Sequence, residues 1–143
     1  MNKNQIDVIE GVPVIYDVNS LFLADARGVL WWKKIVVGPR WLALSWREAH
    51  AVLLHEAKHC LDEHLAKRIL MVPIFWTEFG QRICREQELA CDAFATECGY
   101  GVELMQVVRR FYSHAPGPFY PPVDERCARM NRVLREASHE VAA

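Results

Sequence analysis

The chain has no apolar run long enough to cross a membrane. Its most apolar stretch, Ile69 to Trp76, is interrupted by Pro73 and falls far short of the roughly 20 residues a span needs. It has no excess of either charge: 17 Lys+Arg stand against 18 Asp+Glu, which leaves no electrostatic footprint for nucleic acid. It has no repeats and no low-complexity segments. None of its five cysteines (Cys60, Cys84, Cys91, Cys98 and Cys127) sits in a C-x-x-C pair, which argues against a structural zinc knuckle. Their number is odd, and Cys84, Cys91 and Cys98 recur at a seven-residue interval, along one helix face. Buried free thiols in a reducing compartment are expected. The stretch MNKNQIDVIEGV lacks the apolar core of a signal peptide. Together these absences predict a soluble, cytoplasmic protein with no transmembrane segment and no nucleic-acid partner.

What is present is 143 residues with 52% hydrophobic content, ample for the core of one domain spanning 1–143. The pattern is α+β. The first 40 residues are β-rich. Val12, Val14 and Ile15 lie near a Pro and a Gly, which suits an edge strand. Asp25-Ala26-Arg27-Gly28 reads as a turn, and Val29 to Val37 as a strand or pair of strands ending at Gly38-Pro39. The rest is helical. Ser45-Trp46-Arg47-Glu48 is a capping box that opens a helix running past His59, with Ala49, Val52, Leu53, Ala57 and Cys60 on its buried side. A second helix is predicted from about Thr77 to the break at Gly99, and a third from about Val102 to Tyr112. Ser113 to Pro122 carries four of the seven prolines and cannot be helical. Asp124 then caps a final helix, Glu125 to about Glu140.

The chemistry lies in His55-Glu56-Ala57-Lys58-His59. Residues four apart share one helix face, so two imidazoles at that spacing can grip one zinc ion. Glu56 projects beside the metal, where it can take a proton from water and pass it to a leaving amine. By residue frequencies this pattern arises by chance in well under ~1% of chains of this length. A catalytic zinc needs three protein ligands and an open position. His64 falls one residue short of the metzincin spacing and is read as a surface residue. Glu88 on the second helix is the better third ligand. Asp92, one turn on, can accept a hydrogen bond from the free nitrogen of a zinc histidine. Glu86 lacks such a partner, because its own i+4 residue is Ala90.

At this point the chain resembles a known group. SWREAHAVLLHEAKH, Ser45 to His59, is similar to the active-site helix of the HtpX-type and CAAX-prenyl-protease-type gluzincins. REQELACDAFA, Arg85 to Ala95, resembles their glutamate helix, whose core is E-x-x-A-D; Cys91 stands where the alanine usually is. YPPVDER, Tyr120 to Arg126, resembles their late H-P-x-x-x-E-R segment, with Tyr120 in place of the histidine. With 28 residues between His59 and Glu88 and no span, the chain looks like the soluble minigluzincins. The resemblance implies a zincin-like fold: a small N-terminal sheet packed on an active-site helix and a glutamate helix, with further C-terminal helices. It implies a zinc endopeptidase acting on a peptide or protein, with one zinc ion per chain held by His55, His59 and Glu88. Glu56 is then the general base and Arg126 lies near the site. Tyr120 could donate to a developing oxyanion. The strand around Ile35, Val36 and Val37 would form the upper edge of the sheet, where an extended substrate could add. The Pro-rich stretch Ala115 to Pro122 could cover the cleft, as the C-terminal segment does in some minigluzincins. Two other functions remain open. One is an ImmA/IrrE-like peptidase acting on a repressor, since Phe94-Ala95 also matches that pattern. The other is a catalytically silent, peptidase-derived binding module.

Overall fold

Two short strands open the chain in a computed structural model that describes residues 4–112 and 117–141. β1 (Gln5–Ile9) and β2 (Val12–Tyr16) pair antiparallel, with Ile9 opposite Val12. The turn between them is Glu10–Gly11, with φ of 49° and 77°. Two positive φ values in a two-residue loop match the right-handed twist of the flanking strands, and Gly11 adopts its share without strain.

The remaining strands are β3 (Ala24–Arg27) and β4 (Lys34–Val37). The sheet order is β1-β2-β4-β3, with β4 parallel to β2 and antiparallel to β3. This order corrects three expectations. The segment with Val12, Val14 and Ile15 is an inner strand, not an edge. Pro13 is tolerated there because the ladder to β4 begins one residue later, at Val14↔Ile35. Asp25-Ala26-Arg27 is a strand rather than a turn, and the turn comes after it, at Gly28 with φ 85°. Ile35, Val36 and Val37 form no edge: they are buried between neighbours on both sides, which is what a continuous apolar run in a central strand achieves. Residues 29–33 are also not strand, since Leu30–Trp32 makes a 3-10 turn before β4.

α1 (Trp46–Leu61) follows, opened by the capping box: the Glu48 amide donates to Ser45 Oγ, and the Ser45 amide donates to Glu48 Oε2. Residues 51 to 57 of α1 are buried all round, so the helix runs through the core rather than over it. A short α2 (His64–Leu70) was not anticipated. α3 (Glu78–Ala95) starts at the Thr77 cap, whose hydroxyl accepts from the Gly80 amide. A wide turn, Thr96–Tyr100, contains Gly99 at φ 91° and leads into α4 (Gly101–Phe111). α5 (Val123–Val141) begins two residues before the predicted start, so Asp124 lies in its first turn.

The core joins Val14, Ile35 and Val37 of the sheet to Leu53, Leu54 and Ala57 of α1, Val107 and Val108 of α4, and Met130 of α5. At roughly 1.5–3 kcal/mol per fully buried aliphatic side chain, this core holds α1 against the sheet. Cys60, Cys84, Cys91 and Cys127 are buried free thiols, whereas Cys98 falls in the wide turn and is exposed. Among the described residues no helix is long and apolar enough to cross a membrane.

Candidate metal centre

His55 and His59 lie one turn apart on α1 and are both buried. Their Nε2 atoms are 3.3 Å apart. Glu88 comes from α3, with Oε2 3.3 Å from His55 Nε2 and Oε1 3.4 Å from His59 Nε2. Three ligand atoms on a tetrahedral zinc, each about 2.0–2.1 Å from the ion, stand about 3.3–3.4 Å from one another. The two Nε2 atoms meet that spacing, and the Glu88 carboxylate straddles the pair with one oxygen facing each ring, which leaves either oxygen to complete the set. His55, His59 and Cys91 also form a buried group that could hold a metal ion, their ligand atoms lying within 4.8 Å of one another. Burial raises the Cys91 thiol above its ordinary range, so a metal held there would have to displace its proton.

Glu56 is buried beside this triangle, and its Oε2 accepts a 2.9 Å hydrogen bond from the Ala26 amide of β3. The bond ties the carboxylate to the edge strand. The Ala26 N–H points away from β4; by the two-residue repeat of a strand, Ala24 presents its backbone to the same side. Ala24, Asp25 and Ala26 line a cavity of about 200 Å³ together with His55, Glu56 and His59. The strand beside the site is therefore β3, and the predicted substrate contacts Ile35, Val36 and Val37 lie one strand further in.

Asp92 is fully buried on α3. Its Oδ1 lies 2.9 Å from His55 Nδ1, although the ring N–H points off that line. Arg126 of α5, itself buried, donates from Nε to Asp92 Oδ2 at 2.7 Å and from Nη2 to Oδ1 at 2.6 Å. Arg126 thus reaches the histidine through Asp92 rather than facing the cleft directly. Burial opposes the charge on Asp92, but Arg126 and His55 outweigh it and hold the carboxyl below its usual range. Burial likewise opposes charge on His55. Asp92, Glu88 and Glu56 prevail there and raise the imidazolium to about 10 in the absence of a metal. Glu88 is held well below the carboxylate range by the two histidines, against the pull of burial.

His64 is not a surface residue. It is buried at the start of α2, with Nδ1 2.9 Å from His59 Nδ1. Burial, with the neighbouring His59, lowers its pKa to about 4. Arg68 was also missed: its Nη2 donates to Glu88 Oε1 at 2.9 Å and its Nε to Gln87 Oε1 at 2.8 Å. The signal for both was helical spacing from Glu63 onward, masked by the break after Leu61.

Tyr120 and Tyr112 both line the cavity. Desolvation raises both phenols, that of Tyr120 at the cavity wall although the residue is 44% exposed, so each stays a donor at neutral pH. Tyr112 packs under Arg126, whose guanidinium carbon lies 5.6 Å from the ring centroid. In the proposed covering segment, residues 115–116 lie outside the described residues. In the part that follows, the Pro118 carbonyl accepts from Arg85 Nη1, Phe119 stacks on Phe75 at 4.4 Å, and Tyr120 reaches the cavity wall.

A scan against protein-family models, a search of curated proteins and a search of solved structures each return no match to this chain.

Proposed function

We propose that the chain is a zinc-dependent endopeptidase of the gluzincin kind, with His55, His59 and Glu88 as its metal ligands. The convergence of the two Nε2 atoms, 3.3 Å apart, on a Glu88 carboxylate whose oxygens lie 3.3 Å from one ring and 3.4 Å from the other carries this reading. When bound, zinc supplies Lewis acidity, bringing the pKa of a water towards neutrality and polarising a peptide carbonyl.

The chain's own groups supply the remaining chemistry. Glu56 Oε2 is held by the Ala26 amide, which leaves Oε1 to take a proton from water and pass it to the leaving amine. Asp92, clamped by Arg126, stands 2.9 Å from His55 Nδ1, where it would orient the ring with Nε2 towards Glu88 and His59 once the N–H turns onto that line. Tyr120 lines the cavity as a protonated phenol and can donate to the developing oxyanion. An extended peptide adds to the outer side of β3, beside Glu56, through main-chain hydrogen bonds.

Two measurements test the reading. Elemental analysis should find one zinc per wild-type chain and almost none in a His55→Ala/His59→Ala double variant. A peptide library should be cleaved by the wild type, and at least about a hundredfold more slowly by Glu56→Gln with zinc retained. Undiminished cleavage by Glu56→Gln removes that residue from the mechanism. Zinc retention with no turnover of any peptide favours a binding module instead.

A further inference from the structure

The two candidate ligand rings are held differently on their far sides. His55 Nδ1 faces a carboxylate, Asp92, at 2.9 Å. His59 Nδ1 faces another imidazole nitrogen, Nδ1 of His64, at 2.9 Å, and both rings are buried. At that distance one proton must lie between the two nitrogens. Two protons would clash, and none would set two lone pairs against each other.

Only one of the two possible arrangements suits a metal. If His59 donates, its Nε2 carries a lone pair into the triangle with His55 and Glu88. If His64 donates, the His59 proton moves to Nε2, 3.4 Å from Glu88 Oε1, and no lone pair is left for an ion. The surroundings of His64 favour the first arrangement. Asp62 Oδ2 stands 3.6 Å from His64 Nε2 and draws the His64 proton to that nitrogen.

The backbone is shaped to deliver this ring. α1 ends at Leu61, and Glu63 takes a left-handed conformation (φ 55°, ψ 36°) that turns the chain back. The Glu63 carboxylate is fixed by Lys33 and by the Leu30 amide, which donates to Oε2 at 3.3 Å. His64 then opens α2 underneath His59.

We infer that His64 is a positioning residue that holds His59 in the tautomer whose Nε2 faces the metal. The inference rests on the zinc reading above. Its test is zinc affinity, measured by competition with a chromophoric chelator at fixed pH, for the wild type and three variants checked for folding by circular dichroism. His64→Ala removes the ring, and His64→Phe keeps a ring without an acceptor. His64→Asn returns an oxygen acceptor near the place of Nδ1. Ala and Phe should weaken zinc about 10- to 100-fold, the usual effect of removing such a partner, and Asn should recover most of the loss. Nitrogen-15 spectra of the zinc-loaded wild type should show His59 protonated at Nδ1 and His64 at Nε2. Asn no better than Phe, wild-type affinity in Ala, or a His64 proton at Nδ1 each overturn the inference and leave the zinc reading intact. A wild type that binds no zinc overturns both. If the variants fail to fold, the wild-type spectra decide.

Discussion

Loading zinc into the metal-free protein at pH 7 should expel a proton from His55. The ring is buried, which opposes its charge, yet Asp92, Glu88 and Glu56 hold it up to about 10. A metal needs the Nε2 lone pair and must displace that proton. With a pKa about 3 units above the working pH, the displacement costs about 4 kcal/mol, or roughly a thousandfold in apparent affinity. The apparent dissociation constant should therefore fall about tenfold per pH unit between about pH 7 and 9. Calorimetry in buffers of different ionisation enthalpy reads the proton directly, as a slope of about one proton released per zinc. The metal-free protein carries the opposite dependence. A histidine whose folded pKa is raised contributes its stability below the unfolded pKa of about 6.5 and loses it as pH rises through about 10. Heating the apo-protein at successive pH values should show the melting temperature falling from about pH 6.5 and levelling off near about pH 10, while the zinc-loaded form holds. Zinc affinity that stays flat from pH 7 to 9 with no proton released would refute the charge balance assigned to His55.

Asp92→Ala should destabilise the fold by about 3–5 kcal/mol in denaturant titration, because the buried Arg126 guanidinium loses both its partners. A variant within about 1 kcal/mol of wild type would show that Arg126 finds solvent instead. Asp92→Leu combined with Arg126→Met should recover part of that stability but not the zinc affinity, which separates packing from ligand orientation. Gly28→Ala should cost more than about 1 kcal/mol, since its φ is 85° and a Cβ there would be driven into the Trp32 carbonyl. A neutral result in thermal melts would mean the turn after β3 can relax. Ser45→Ala should cost about 1 kcal/mol by removing the cap of α1, with an unchanged melting curve counting against the capping box.

The readable parts of this chain are those whose information is local. Ser45 and Glu48 announce the start of α1 three residues apart, and His55, Glu56 and His59 need only the helical repeat to converge. Glu88 and Asp92 were found because one turn of helix sets a ligand beside its hydrogen-bond partner. Sheet order was not readable. β4 pairs with β2 and β3 across intervening chain, and nothing within residues 24–27 distinguishes a four-residue strand from a turn, since Asp25 and Arg27 are polar and Gly28 follows. The buried run Ile35-Val36-Val37 did hold a clue, because a strand apolar on both faces belongs inside a sheet. His64 escaped because the non-glycine Glu63 takes a left-handed conformation, which sequence patterns give little reason to expect.

Arg126 also ties α5 to the candidate metal centre without offering a candidate ligand from that helix. α5 is docked through Arg126 on Asp92, and the same carboxylate faces a candidate ligand ring. If the zinc reading proposed above holds, prising α5 away would free Asp92 to turn, and zinc affinity would report whether α5 is in its seat. Docking of α5 and the state of the candidate centre are thus coupled through one buried ion pair, Arg126 with Asp92.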